Sequence, residues 1–435
     1  MPKMDGKERE SMWYKNFQKK CRWIALAGLV FICIFSYFLL VRSIPDKIRI
    51  VAGREETFDW KVPVTGEVND SGIEVFTNQS PTVSSQQVNI DMNEAFTLKS
   101  GTEGSFSIVC KLFGIFSLKE VPVEVINEEM VVPCGIPIGI YVKTDGILAI
   151  GTGAVTGVDG MNYEPAYHLV KSGDYIKTVN DEAVSTKEEL IEKVNKYGQK
   201  EVVLGLVRGG EYIKIQVTPV ETGEDTYKIG VWVRDDMAGV GTMTYYTADM
   251  EYGALGHPVS DADTSTTIHL GEGLLYETRI VGITKGEKGK PGELAGVIDY
   301  GSRYCMGTVA GNTETGIYGT LNKIPAGLEN VNFMEVGLKQ EVETGPAVIV
   351  SYVSGERREY GIEITSLDHH AVSINKGIQF KVTDPELLSI TGGIVQGQSG
   401  SPIIQNGKLV GAVTHVFVQD ASKGYGIFIE DMLEH

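Results

Sequence analysis

The stretch Gly392-Gly393-Ile394-Val395-Gln396-Gly397-Gln398-Ser399-Gly400-Ser401-Pro402 sets one serine between glycines. Glycine tolerates positive φ and leaves no side chain in the way, so the chain can turn tightly here. The amides of Gly397 and Ser399 can then converge on one point, which is what a developing oxyanion needs in acyl transfer from a peptide. The strands that follow, Pro402-Ile403-Ile404 and Leu409-Val410-Gly411-Ala412-Val413, are joined through Asn406-Gly407 and read as a hairpin that holds the loop rigid. Ser399 is the candidate nucleophile, with Gly397 and Ser399 as the candidate oxyanion hole.

A serine nucleophile needs a base within hydrogen-bond reach and something to orient that base. The chain has seven histidines, and His257 stands out in Gly253-Ala254-Leu255-Gly256-His257-Pro258-Val259-Ser260-Asp261-Ala262-Asp263, a glycine-flanked turn. The serine loop is similar to the chymotrypsin-like pattern Gly-Asp-Ser-Gly-Gly-Pro, with Gln398 for the Asp and Ser401 for the second Gly. His257 precedes Ser399 by 142 residues, in the His-first, Ser-last order of two-barrel peptidases. From residue 222 to 435 the pattern is strands and glycine turns without a long helical stretch, which suits a β-barrel or sandwich, with two barrels, as in a chymotrypsin-like peptidase, the expectation that the serine loop favours. His415, on the strand after the serine, is a candidate for lining a substrate pocket.

Outward toward the N-terminus the chain changes character. Trp23 to Val41 is a run of 19 residues without a charge, about the length that crosses a hydrocarbon core of roughly 30 Å. Leu39, Leu40, Val41 and Arg42 end it, where a secretory signal would place small residues at alternate positions, so an uncleaved transmembrane anchor over 23–41 is expected. Residues 1–22 carry seven basic side chains against three acidic, a balance of +4, so the remainder of this chain of net charge −18 sums to −22. The basic segment is expected in the cytoplasm and the bulk of the chain across the cell membrane. So acidic a body is a poor partner for nucleic acid, which needs clustered Lys and Arg. Of five cysteines, Cys110, Cys134 and Cys305 lie beyond the span, an odd number with no CxxC spacing, so neither a disulfide framework nor a metal site is indicated.

Between the span and the barrels lie two further regions. Residues 42–130 alternate polar and apolar side chains in short stretches such as Ser105-Phe106-Ser107-Ile108-Val109 and read as a small β domain. Residues 131–221 bring strands, a helix from Thr186 to Tyr197 with Glu189 completing a capping box, and a hairpin through Gly209-Gly210. This order resembles a PDZ domain. Its loop Gly135-Ile136-Pro137-Ile138-Gly139-Ile140 resembles the one whose amides hold a peptide carboxylate, and a partner C-terminus is expected to add as a strand beside Ile138-Gly139-Ile140. With 52 glycines and 15 prolines the chain as a whole is expected to be mainly β.

The anchor, the PDZ-like unit, Gly253-Ala254-Leu255-Gly256-His257-Pro258 and the segment from Thr383-Asp384-Pro385 to Ser401-Pro402 together resemble the SpoIVB-type peptidases of endospore-forming bacteria. The resemblance extends over nearly the whole chain. It implies a serine endopeptidase of sporulation, without cofactor, acting in the space between mother cell and forespore. Its implied substrates are itself and a membrane-bound regulator of an intramembrane metallopeptidase, whose release lets a late sigma factor mature. By the same resemblance His257 is the base, Ser399 the nucleophile and Asp384 the acidic third member. Asp261 and Asp263 compete for that last role, and a Ser-His pair without an acid is a further reading. Two alternatives for the whole chain are an HtrA-like quality-control protease, in which the peptidase precedes the PDZ, and a non-catalytic PDZ adaptor.

Overall fold

The computed structural model describes residues 6–68, 73–77, 80–83 and 88–434. Lys3 and Asp5 of the basic segment, and the histidine at 435, lie outside the described residues. The protein is mainly β and divides into two compact units, residues 1–128 and 129–435.

The first unit opens with a single helix, Gly6–Arg42, whose Lys19–Arg42 stretch is apolar, exposed and long enough to cross a membrane. The expected 23–41 span falls inside it. Two sheets follow, one of five strands and one of four. Alternation makes them a sandwich: in Phe96–Ser100 the side chains of Phe96 and Leu98 are buried while Thr97 and Lys99 between them are not. Ile50, Val68, Ile90, Ile108 and Val123 from the five-stranded sheet share one core with Phe58, Val75, Phe96 and Leu98 from the other.

The second unit is organised by one 16-residue strand, Pro137–Thr152. Its first half pairs on one side with Val231–Tyr246 and on the other with Leu270–Thr284. From there the pairing runs through Cys305–Thr313, Gly316–Leu321 and Glu251–Ala254 back to Val231–Tyr246, a closed circuit of six strands. The second barrel is the closed ring Gly345–Ser351, Arg358–Leu367, Ile378–Val382, Asp420–Phe428, Lys408–Phe417 and Pro402–Gln405. Its interior is filled by residues such as Ile349, Tyr360, Ile362, Phe380, Ile403 and Val413.

The far half of the Pro137–Thr152 strand serves a different body. Ile147 and Leu148 pair with Tyr175–Val179, which continues to Val202–Arg208 and Glu211–Val217 through the Gly209-Gly210 turn, where both φ are positive. Helix Lys187–Tyr197 packs Leu190 and Val194 onto this sheet and starts with the capping box of Thr186 and Glu189. The strands, the helix and the Gly209-Gly210 hairpin read from residues 131–221 thus follow in that order, inside the unit that spans 129–435. The strand expected to open a separate domain is also a wall of the first barrel.

That double use removes the peptide site expected at Gly135–Ile140. Ile138, Gly139 and Ile140 are paired on both edges, to Gly241, Val240 and Gly239 and to Glu277, Tyr276 and Leu275, so no further strand can add. The Gly135 amide donates to the Met243 carbonyl at 2.9 Å. A Cβ at Gly135 would meet Val350 of the second barrel, so this glycine serves barrel packing. The edge of the strand beside the module's helix is also filled, because Val231–Arg234 pairs there with Thr152, Gly151, Ala149 and Leu148. Val231 and Val233 pack against the module's core, and Lys187 at the helix start is bonded to Asp235.

Candidate active site

Strand Glu251–Ala254 of the first barrel ends in a turn with Leu255 at φ 70° and Gly256 at φ 71°, and this turn delivers His257. A Cβ on Gly256 would meet Thr414 and Ile427 of the second barrel, so only glycine allows the two barrels to approach this closely. Asn312 holds the far side of the turn: its Oδ1 accepts the Val259 amide at 2.8 Å and its Nδ2 donates to the Val259 and Ile268 carbonyls.

The nucleophile loop is held from the other barrel. Gly397 and Gly400 have φ of 97° and 96°, and Gln398 between them is fully buried, its Oε1 accepting the Val395 amide at 2.9 Å. The Gly400 amide donates to Val413 and the Ser401 amide to Gln398. Thr242 ties the loop to the first barrel: its amide donates to the Ser399 carbonyl at 3.0 Å and its Oγ1 to the Gly397 carbonyl at 2.7 Å. The amides of Gly397 and Ser399, by contrast, have no acceptor among the described residues. They remain available as paired donors.

Ser399, His257 and His415 line one cavity of about 510 Å³ between the barrels, with a mostly apolar wall that includes Ile140, Met237, Val240 and Val416. The rings of His257 and His415 are 5.3 Å apart at 41°. His257 Nδ1 lies 2.9 Å from the Pro258 carbonyl. A carbonyl only accepts, so Nδ1 carries the proton and Nε2 is left as the basic nitrogen. Burial lowers the His257 imidazole below its ordinary 6.5 against the opposing Pro258 bond, which keeps it neutral at neutral pH. His415 is pushed down to about 4, first by burial and then by the charges of His257 and Lys376. In this resting arrangement Ser399 Oγ donates to the Thr414 carbonyl at 2.7 Å, so attack requires a turn about its χ1.

None of the three candidate acids reaches His257. Asp384 is the N-cap of helix Pro385–Thr391: Oδ1 accepts the Glu386 and Leu387 amides at 2.9 and 3.0 Å, and Oδ2 accepts Gly361. Its two oxygens serve two free helix donors and one strand amide, and its assignment as the orienting acid is therefore corrected. Asp261 is buried, accepts the Asp263 and Thr264 amides and is paired with Arg234, while Asp263 meets the same guanidinium at 2.9 Å. The group that orients His257 is a backbone carbonyl. Sequence reasoning missed it, as it missed Thr242, Asn312 and Thr414. Thr242 lies 155 residues from the Gly397 carbonyl it holds, and no spacing rule links them.

Two β-barrels with a serine, a neutral imidazole and paired free amides meeting in the cleft between them define a serine peptidase. Residues 225–433 match the family described as SpoIVB peptidase S55, a match that supports a SpoIVB-type serine peptidase. Among solved structures, an inactive serine-to-alanine mutant of Rv3671c from M. tuberculosis is similar at 14% identity and a TM-score of 0.22, covering 45% of this chain and 80% of that one. No curated protein sequence matches the chain.

Proposed function

We propose that this peptidase is a membrane-anchored endopeptidase of sporulation signalling. Helix Gly6–Arg42 is its single-pass anchor, with the N-terminus cytoplasmic and the barrels outside. Its substrates are its own chain and a membrane-bound regulator of an intramembrane metallopeptidase, so that its cut leads to late sigma-factor activation. The observation that supports the chemistry is the meeting of Ser399, His257 with Nε2 left as its basic nitrogen, and two unengaged amides at one mostly apolar cavity.

In this reading Ser399 Oγ leaves the Thr414 carbonyl and gives its proton to His257 Nε2 as Oγ attacks the peptide carbonyl carbon. The Gly397 and Ser399 amides hold the oxyanion, His257 returns the proton to the leaving amine, and water then releases the acyl group by the same steps. Pro258 steadies the imidazole in place of an acid. A peptide end reaches the PDZ-like part only by displacing Val231–Arg234, which makes that part a gate on the strand that continues into the cavity wall at Met237 and Val240. Labelling by a fluorophosphonate probe tests the catalytic assignment: wild type labels, while Ser399→Ala and His257→Ala do not. A Ser399→Ala protein that still cleaves peptides would overturn it.

A further inference from the structure

The hairpin of strands Gly104–Leu112 and Phe116–Ile126 ends in a turn that is unlike the other described turns of the first unit. Phe113, Ile115 and Phe116 stand in the open there, 79%, 74% and 64% exposed. Phe113 and Gly114 both take positive φ, 54° and 71°, and the Ile115 amide closes the turn on the Leu112 carbonyl. Asn-Gly or Asp-Gly suits such a turn, because a short polar side chain tolerates the left-handed region and water solvates it. A phenylalanine there is a conformational strain with no packing return inside the fold. The same unit uses polar residues elsewhere, as in the exposed Asn93-Glu94 turn.

The register shows where this turn lies. Strand Ile48–Val51 runs parallel to Phe116–Ile126 with Ile48 opposite Val123. The same offset of 75 residues joins Lys119 to Ile44, whose carbonyl accepts from Lys119 Nζ at 2.7 Å while Nζ also pairs with Asp46. Ile44 in turn follows directly on the helix, its amide bonded to the Val41 carbonyl. Phe116 is three residues before Lys119, about 10 Å further toward the end of the sandwich at which the helix enters. The uncharged run from Trp23 to Val41 finishes at that same end.

We infer that the Phe113–Phe116 turn is a second membrane contact, its three apolar side chains inserted into the lipid interface from which the helix emerges. The inference rests on reading that helix as a membrane span. Aromatic and aliphatic side chains at the tip of a short turn match the interfacial layer, where apolar surface leaves water and the backbone stays near polar headgroups. Two contacts, helix and turn, hold the first unit at a fixed tilt on the bilayer, where the helix alone would leave it free to swivel.

The full chain, reconstituted in phosphatidylglycerol–phosphatidylcholine vesicles, tests this with a benzophenone photo-cross-linker at one of three positions. The position of Phe31 in the helix reports the anchor, that of Ile115 the turn, and that of the exposed Glu103 the opposite end of the same hairpin. All three side chains are exposed, so the substitutions leave the fold intact. The expected result is lipid adducts at 31 and 115 and their loss at 103. Adducts at 31 without adducts at 115, or protein adducts at 115, overturn the second contact and leave the anchor standing. Absence of lipid adducts at both 31 and 115 overturns the anchor and the inference together.

Discussion

The two loops that meet at the cavity are held by opposite means. The loop of Ser399 is fixed by its own backbone: glycines at positive φ, amide bonds to Val413 and Gln398, and one buried glutamine folded back on Val395. The turn of His257 is fixed by side chains brought from elsewhere, with Asn312 gripping Val259 and Arg234 gripping Asp261 and Asp263. Thr242 belongs to the wall of the first barrel yet bonds both carbonyls of the serine loop. The comparison teaches that a loop built to present its amides has to be specified locally, since the donors are its own backbone. A loop built to present a side chain can be steadied from anywhere in the fold.

Gly397→Ala strikes the backbone-built loop most directly. A Cβ there would lie 3.0 Å from Leu294 Cβ at a φ of 97°, so the 397 amide must move. A loss of kcat of about 100- to 1,000-fold is expected in a peptide-hydrolysis assay with the fold retained. Unchanged turnover would place the oxyanion elsewhere. Thr242→Val, which keeps the shape and removes the bond to the Gly397 carbonyl, is expected to lower kcat about tenfold and stability by about 1 kcal/mol, read by kinetics and denaturant unfolding.

The pH profile sharpens the histidine side. The base works as the neutral imidazole, and burial sets its folded pKa below 6.5. Activity should therefore be full above that value, fall on acidification, and reach half its maximum at a pH below 6.5. A midpoint above 6.5 in kcat/KM would mean that an acid charge steadies His257 after all.

Asp384 gives the smallest effect. Asp384→Ala removes a helix cap and should cost about 1 kcal/mol in unfolding, while Asp384→Asn, which also caps, should cost little. Neither should change kcat. A fall of about 10,000-fold in the Asn variant would restore Asp384 as the orienting acid.

The candidate nucleophile, its flanking glycines and the base could be picked out from the sequence because each sits in a short segment with a strong conformational demand. Gly256, Gly397 and Gly400 are needed where they stand, and the Thr186–Glu189 capping box starts its helix as the local pattern requires. Asp384 misled for a related reason. An acid followed by Pro385 at the head of a helix is a local capping signal, and its place shortly before Ser399 lent it a catalytic look.

By itself the sequence determined a β-rich chain with one apolar helix long enough to span a bilayer, and a tight glycine loop around one serine. These follow from periodicity, length and the steric freedom of glycine, which act over a few residues. Tertiary structure alone decided that Pro137–Thr152 is shared between a barrel and the body around helix Lys187–Tyr197, that its edges are already filled, and that a carbonyl orients His257. Such choices depend on which distant strand arrives to claim each backbone donor and acceptor. No window of the sequence contains both partners.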